Sequence, residues 1–470
     1  MPQDPVPGLL SRATELLEAE FAALPAFGPA FESAADPGAM ARVLEATAHR
    51  LGDNYPYFHP LYAGQMLKPP HPVARAAYAL AMKINPNNHA RDGGRASSEM
   101  EIEAVAGIAQ MFGWTECPDS YLGHLTSSGT MANLEALWVA GQLAPGRRIV
   151  GSEQAHYIHR RISAVLKLEY AGIPADSRGR MSLEALETEL RKGDVGTVVV
   201  TLGTTATGAV DPLDKVLALK ERYGFRVHVD GAYGGYFRLI PEALEEPARK
   251  AFAAMGEADS IVIDPHKHGL QPYGCGCVLF RDPAVGRFYK HDSPYTYFTS
   301  KELHLGEISL ECSRAGASAV ALWATQQLLP LTPGGEFARG LARGRAAALE
   351  LDRRLRQDGN GPFQALAAGA PELDIVVWKV NAETPERASE LAQRIFVACA
   401  ARDLHLALVE LPLAWFRPAA GLQPVACASK GVGTGPVTCL RSVLMKPEHE
   451  AWLDRIWERL TAAWVGVLGE

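Results

Sequence analysis

The residues best able to do chemistry fall just after short apolar runs. In SIVIDPHKHG, Lys267 stands between His266 and His268. A lysine amine in a partly buried pocket can attack a carbonyl carbon and form a Schiff base, whereas on an open surface it is a solvated charge. In VHVDGAYGGYF, Asp230 closes another apolar run. A carboxylate there can hold a metal, a ribose or a protonated ring nitrogen, or it can open a turn, because Asp-Gly is a common turn dipeptide. SEQAHYIHRRISAV offers His156, whose ring could stack on a flat cofactor or move protons. His159 reads as a satisfied structural histidine. In HLTSSGTMANLEALWVAGQL, Ser127, Ser128, Gly129 and Thr130 open a helix. Unpaired N–H groups and the helix dipole favour an anion such as phosphate there, and Ser and Thr are also ordinary helix caps.

Taken together these signals are sharper than any one alone. A phosphate holder, a flat stacking group, an acid for a ring nitrogen and a Schiff-base lysine are what pyridoxal phosphate requires. No metal is expected. His266/His268 and Cys275/Cys277 form H-x-H and C-x-C pairs, and C-x-C lacks the gap usual in zinc knuckles. GCGCVLF reads instead as an apolar strand whose small residues permit close packing.

The elements that must position these residues follow from periodicity. RRIVGS, TVVVTLG, FRVHVD, SIVID and GCVLF are β-branched runs, with SLEALETELRK and LDKVLALKERYG helical between some of them. Such alternation implies βαβ units and a mostly parallel sheet, with ligands at the carboxyl ends of the strands. GLLSRATELLEAEFAAL reads as an amphipathic helix ahead of this region, and Ser98 with Glu101 reads as the cap of a helix starting there. The expected organisation is an N-terminal helical and extended segment (1–70), a large α/β domain (71–335) and a small C-terminal α+β domain (336–470). The small domain carries a long helix, strands LDIVVWKVN, LHLALVEL and VTCLRSVLM, and a final helix.

Bulk properties narrow the class. A net charge of −7 without a Lys/Arg-rich run argues against sequence-independent nucleic-acid binding. No apolar run is long enough to span a bilayer, and MPQDPVPGLL lacks the pattern of a secretory signal. Seven scattered cysteines, an odd number in a chain this large, suit free thiols in a reducing cytoplasm.

At these motifs the sequence resembles the group II pyridoxal-phosphate-dependent amino acid decarboxylases, of the aspartate aminotransferase fold (fold type I). SEQAHYIHRRISAV, TLGTTATGAVDPL, HVDGAYGGYF and DPHKHG carry the resemblance in the centre, with FHPLYAGQM and LRSVLMKPEH towards the ends. The resemblance implies that Ser128, Gly129 and Thr130 hold the phosphate and that His156 stacks on the ring. It implies that Thr205 approaches ring or substrate, Asp230 pairs with the pyridine nitrogen and Ala232 lies against the ring face. Lys267 would carry the cofactor, with His266 beside it near the phosphate. A tyrosine of HDSPYTYFTSK, Tyr297 rather than Tyr295, would protonate the product carbon. Arg314 or Arg441 would hold the substrate α-carboxylate or help shape the pocket. Gly231 stands where the family often has Ala, and His268 where large apolar residues are common. The implied reaction is decarboxylation of an L-amino acid to its amine by a homodimer. Its rivals are an aminotransferase, a carbon–carbon lyase, a decarboxylation-coupled oxidase or a non-catalytic scaffold on the same fold. The aromatic residues and His59 of NYPYFHPLY could line a substrate pocket, or belong to the core or an interface.

Overall fold

A computed structural model describes residues 4–89, 93–114, 120–290, 309–357, 361–416 and 435–468. Two helices open the chain, α1 (Val6–Glu20) and α2 (Pro37–Leu51). Pro7 lies in the first turn of α1, where its missing N–H is harmless. Asp36 caps α2 by accepting from the Ala39 N–H at 3.0 Å. Neither helix buries a residue, and Leu9, Leu16, Val43 and Leu44 face solvent.

Helices α3 (Pro72–Met82) and α4 (Arg95–Met111) follow. The Ser98/Glu101 spacing predicts a helix beginning at Ser98, but α4 begins earlier, after Gly94. Glu101 is turned inward, where Asn88 Nδ2 donates to it at 2.6 Å and Arg314 Nη1 at 2.6 Å. A buried ion pair, not a cap, uses this carboxylate.

The alternating region comprises β1 (Leu122–Thr126), α5 (Gly129–Leu143), β2 (Arg148–Ser152), α6 (Ile158–Val165), β3 (Tyr170–Ile173) and α7 (Leu183–Leu190). It continues with β4 (Val195–Thr201), α8 (Leu213–Tyr223), β5 (Arg226–Asp230), α9 (Ala248–Ala253), β6 (Ser260–Ile263) and β7 (Gly276–Phe280). Among the described residues these strands form one seven-stranded sheet, ordered β1-β7-β6-β5-β4-β2-β3. Strands β3, β2, β4, β5 and β6 run parallel, and β7 is antiparallel to both β6 and β1. Helices on both faces explain why the inner strands read as continuous apolar runs, and every residue of β4 is buried.

Helix α10 (Gly316–Leu328) packs on α3 and α4. Then come α11 (Glu336–Gln357), β8 (Phe363–Ala365), β9 (Ile375–Val380), α12 (Pro385–Ala400), β10 (Ala407–Pro412), β11 (Pro436–Val443) and α13 (His449–Leu468). The strands form an antiparallel sheet ordered β10-β11-β9-β8. Helix α12, absent from the sequence reading, buries Ala388, Leu391, Ala392, Ile395 and Cys399, the three-and-four spacing of a helix face on a core. Segment 61–63 runs beside this unit. Ala63 N–H donates to His405 O at 2.8 Å and His405 N–H to Leu61 O at 3.0 Å. Tyr55, Tyr57 and Tyr62 of NYPYFHPLY thereby share a cavity with Thr205, just after β4, and Lys267, just after β6.

Candidate active site

The turn between β1 and α5 forms one wall. Ser128 caps the helix, its Oγ accepting from Met131 N–H at 3.2 Å, so the capping reading of this serine holds. Ser128 O in turn accepts from Thr126 Oγ1 at 2.9 Å. The first amides of α5 have no acceptor within the helix. Gly129 has no room for a side chain, since a Cβ there would lie 2.5 Å from both Asp264 carboxylate oxygens. Gly276 on β7 is equally constrained, a Cβ falling 2.5 Å from the Ser128 carbonyl carbon. The small residues of GCGCVLF therefore let the strand press against this turn.

Asp230 ends β5. Its Oδ2 accepts from His159 Nε2 at 2.8 Å and its Oδ1 from Ala232 N–H at 3.1 Å. Burial alone would raise its pKa, but the His159 hydrogen bond and the nearby Lys267 charge outweigh this and hold the carboxyl well below the usual range. His156 lies in the turn after β2. Its Nδ1 accepts from Ile158 N–H at 3.3 Å, and burial lowers its pKa, keeping the ring neutral.

Lys267 follows β6 in a tight turn, its N–H donating to Asp264 O at 2.9 Å. Its Nζ lies 2.9 Å from Asp264 Oδ2. Burial works against the ammonium charge, but Asp264 outweighs it and the amine's pKa is raised. Asp264 Oδ1 is buried and has no hydrogen-bond partner among the described residues. His266 Nδ1 donates to Cys275 O at 2.7 Å, and its ring lies 4.7 Å from that of Tyr273.

These groups converge on one cavity of about 260 Å³. Ser128, Gly129, Thr130, His156, Thr205, Asp230, Ala232, His266 and Lys267 all line it. A second cavity of about 550 Å³ adjoins it, and Met66, Thr205, Lys267 and Tyr273 line both. Lys267 thus stands at the neck between two chambers.

Residues 56–329 match the family model described as the pyridoxal-dependent decarboxylase conserved domain. The chain belongs to the pyridoxal-dependent decarboxylase family. It is 31% identical over 337 residues to a probable L-tyrosine/L-aspartate decarboxylase of Methanothermobacter thermautotrophicus, covering 71% of this chain and 85% of that one. It is 27% identical over 423 residues to an L-tyrosine decarboxylase of Enterococcus faecium, covering 68% and 67%. Among solved structures it superposes on Catharanthus roseus tryptophan decarboxylase in complex with L-tryptophan with a TM-score of 0.72. That match covers 97% of this chain and 95% of the other at 16% identity, a likeness of fold. The protein is an amino acid decarboxylase of fold type I, and pyridoxal 5′-phosphate is its cofactor.

The decarboxylase's smaller cavity fits that cofactor. It offers orphan amides at a helix start for a phosphate, an ionised acid at a strand end for a ring nitrogen, a flat neutral imidazole, and a lysine amine. Other candidates fall elsewhere. Arg441 on β11 is only 8% exposed and lines the larger cavity, its Nε without a hydrogen-bond partner among the described residues. Arg314 lines neither chamber. Its guanidinium donates to Glu101 Oε1 at 2.6 Å, Leu125 O at 2.8 Å and Asn88 O at 3.1 Å. The structure therefore engages Arg314 with these groups and leaves it outside the lining of both chambers. His59 is also remote, its ring 4.8 Å from that of Trp452 in a separate surface cleft. Tyr295 and Tyr297 lie outside the described residues.

Sequence reasoning missed several groups. His159 was read as structural, yet it is the partner of Asp230. Tyr55, Tyr57 and Tyr62, which the sequence did single out within NYPYFHPLY, line the larger cavity, with Tyr57 and Tyr62 edge to face at 4.8 Å. Tyr273, within six residues of Lys267 in the same turn, forms part of the neck. The segment NYPYFHPLY pointed to three of these tyrosines, but nothing in the linear order says which cavity they face.

Proposed function

We propose that this decarboxylase acts on L-amino acids with aromatic side chains, with Lys267 as the Schiff-base residue. The observation that carries this reading is the larger chamber. It opens at Lys267, is walled by Tyr55, Tyr57, Tyr62, Tyr273, Phe396 and His405, and has no described Asp or Glu among its lining residues. A basic side chain would be left there without a counter-charge, which is unfavourable in a partly buried site. An aromatic ring would find edge and face partners.

Pyridoxal phosphate, when bound, supplies a carbonyl carbon for an amine and a protonated ring that accepts electrons. The chain's residues do the rest. The Thr130 and Gly129 amides, with Ser128, would receive the phosphate. Asp230, kept ionised, would pair with the protonated ring nitrogen. His156 would stack on the ring, with Ala232 against the ring face. Lys267 would carry the covalent link to the cofactor. Arg441, with its spare Nε, gives the substrate carboxylate a counter-charge.

We also propose a homodimer. Helices α1 and α2 bury nothing and expose Leu9, Leu16, Val43 and Leu44, a surface that a second copy would cover. Among the described residues no helix is long and apolar enough to cross a membrane. The free thiols Cys275, Cys277, Cys312, Cys399 and Cys439 suit a reducing compartment, which supports a cytoplasmic location.

The test is a panel of aromatic, acidic and basic amino acids, with carbon dioxide and amine both measured. Aromatic substrates should give both products in equal amounts and the highest kcat/KM. A keto acid without carbon dioxide, or a preference for basic substrates, would overturn the reading.

A further inference from the structure

Beneath the smaller cavity runs a buried chain of hydrogen bonds that the proposed chemistry does not use. His228 lies two residues before Asp230 on β5, on the same strand face. Its Nδ1 lies 2.8 Å from Ser260 Oγ on β6, and its Nε2 lies 2.8 Å from Asn133 Oδ1 on α5. Asn133 Nδ2 then donates to Gly129 O at 2.9 Å. Asn133, His228 and Ser260 are all buried.

The direction of this chain is fixed from one end. Gly129 O can only accept, so the Asn133 amide must present its nitrogen to Gly129 and its oxygen to His228. His228 must therefore carry its proton on Nε2. Its Nδ1 is then an acceptor, and the Ser260 hydroxyl donates to it. A neutral imidazole has one donor and one acceptor, which matches, and burial pushes His228 down to about 3. Each group in the chain has a partner for its role.

The end point is what gives the chain a function. The Gly129 carbonyl and the Thr130 N–H belong to one planar trans peptide, so they point in opposite directions. Anchoring Gly129 O from below fixes the aim of Thr130 N–H above, at the opening of α5. We propose that His228 is a positioning residue for phosphate: acting through Asn133, it holds the first peptide of α5 so that its amide is aimed at the phosphate end of the cofactor. This inference rests on reading the smaller cavity as the pyridoxal phosphate site. It differs from a merely structural role, which would stabilise the sheet without preference for any part of a ligand.

The test compares binding of pyridoxal 5′-phosphate and of pyridoxal, which lacks the phosphate, to the full-length apoenzyme by absorbance. His228→Phe should weaken binding of the phosphorylated aldehyde about tenfold or more, the scale of one lost buried hydrogen bond, with pyridoxal binding changed by less than about twofold. His228→Gln, whose amide N–H can replace Nε2–H, should restore much of the loss. Equal weakening of both ligands, or of neither, would overturn the proposal. Should His228→Phe not fold, Ser260→Ala removes only the hydroxyl donor. It should again weaken the phosphorylated ligand selectively, and equal loss for both would refute the role. If wild-type apoenzyme captures neither aldehyde, the cofactor reading falls and this inference with it.

Discussion

His159 Nε2 lies 2.8 Å from Asp230 Oδ2, and both side chains are buried. Asp230 is thereby kept ionised in a place where burial alone would neutralise it. His159→Phe removes one hydrogen bond to a charged acceptor, a loss of about 1.5–3 kcal/mol, or about 10- to 100-fold in kcat/KM. The expected companion effect is an altered pH dependence of the bound cofactor's absorption, because Asp230, proposed to pair with the ring nitrogen, would titrate higher. Unchanged spectra alongside a simple drop in melting temperature would assign His159 to packing only.

Lys267 without cofactor is an ammonium paired to Asp264 at 2.9 Å. Only the neutral amine can attack a carbonyl. Its pKa is raised, so below that pKa the neutral fraction grows about tenfold per pH unit. Capture of pyridoxal phosphate by apoenzyme should therefore accelerate as pH rises from 6 to 8. Asp264→Asn removes the counter-charge and should speed capture at neutral pH. Stopped-flow absorbance measures both, and a capture rate independent of pH would contradict the pairing.

Much of this was legible in the sequence. The β-branched runs at RRIVGS, TVVVTLG and SIVID gave strands because inner parallel strands must be apolar on both faces. Asp230 and Lys267 were found because polar residues at the ends of such runs face the ligand edge. His159 was not, because its meaning depends on α6 bringing it to Asp230, which lies far along the chain. The family resemblance offered Arg314 as a carboxylate binder, but Glu101 and two carbonyls already engage its guanidinium. His268, out of pattern in the sequence, lies 3.4 Å from Asp374 of the distant C-terminal unit, a neighbour no local reading could supply.

That Asp374 leads to a prediction about stability. Its Oδ1 accepts from Tyr233 OH at 2.5 Å, and burial pushes the carboxyl up to about 6. In the unfolded chain it would ionise near about 4. The folded state thus favours the protonated acid, and this contribution is present below about pH 4 and lost as pH rises through about 6. Asp374→Asn cannot ionise, and its carbonyl can still accept from Tyr233. It should stabilise the protein at pH 8 by about 2–3 kcal/mol relative to its effect at pH 4. Urea midpoints at a series of pH values check this, and a shift of equal size throughout would contradict it.

Arg441 is buried, has no partner for Nε among the described residues and lines the chamber beyond Lys267. Arg441→Met should raise KM for amino acids about 10- to 100-fold through loss of a charge-assisted contact. Inhibition by the amine product, which has no carboxylate, should barely change. If both affinities fall together, Arg441 shapes the pocket without reading the carboxylate.

The central claim is that Lys267 bears the cofactor. Borohydride reduction of holoenzyme followed by peptide mapping tests it most directly. The account predicts a single pyridoxyl group on Lys267, in the peptide containing DPHKHG, and loss of the label in Lys267→Ala. A label on another lysine, or equal labelling in that variant, would contradict it.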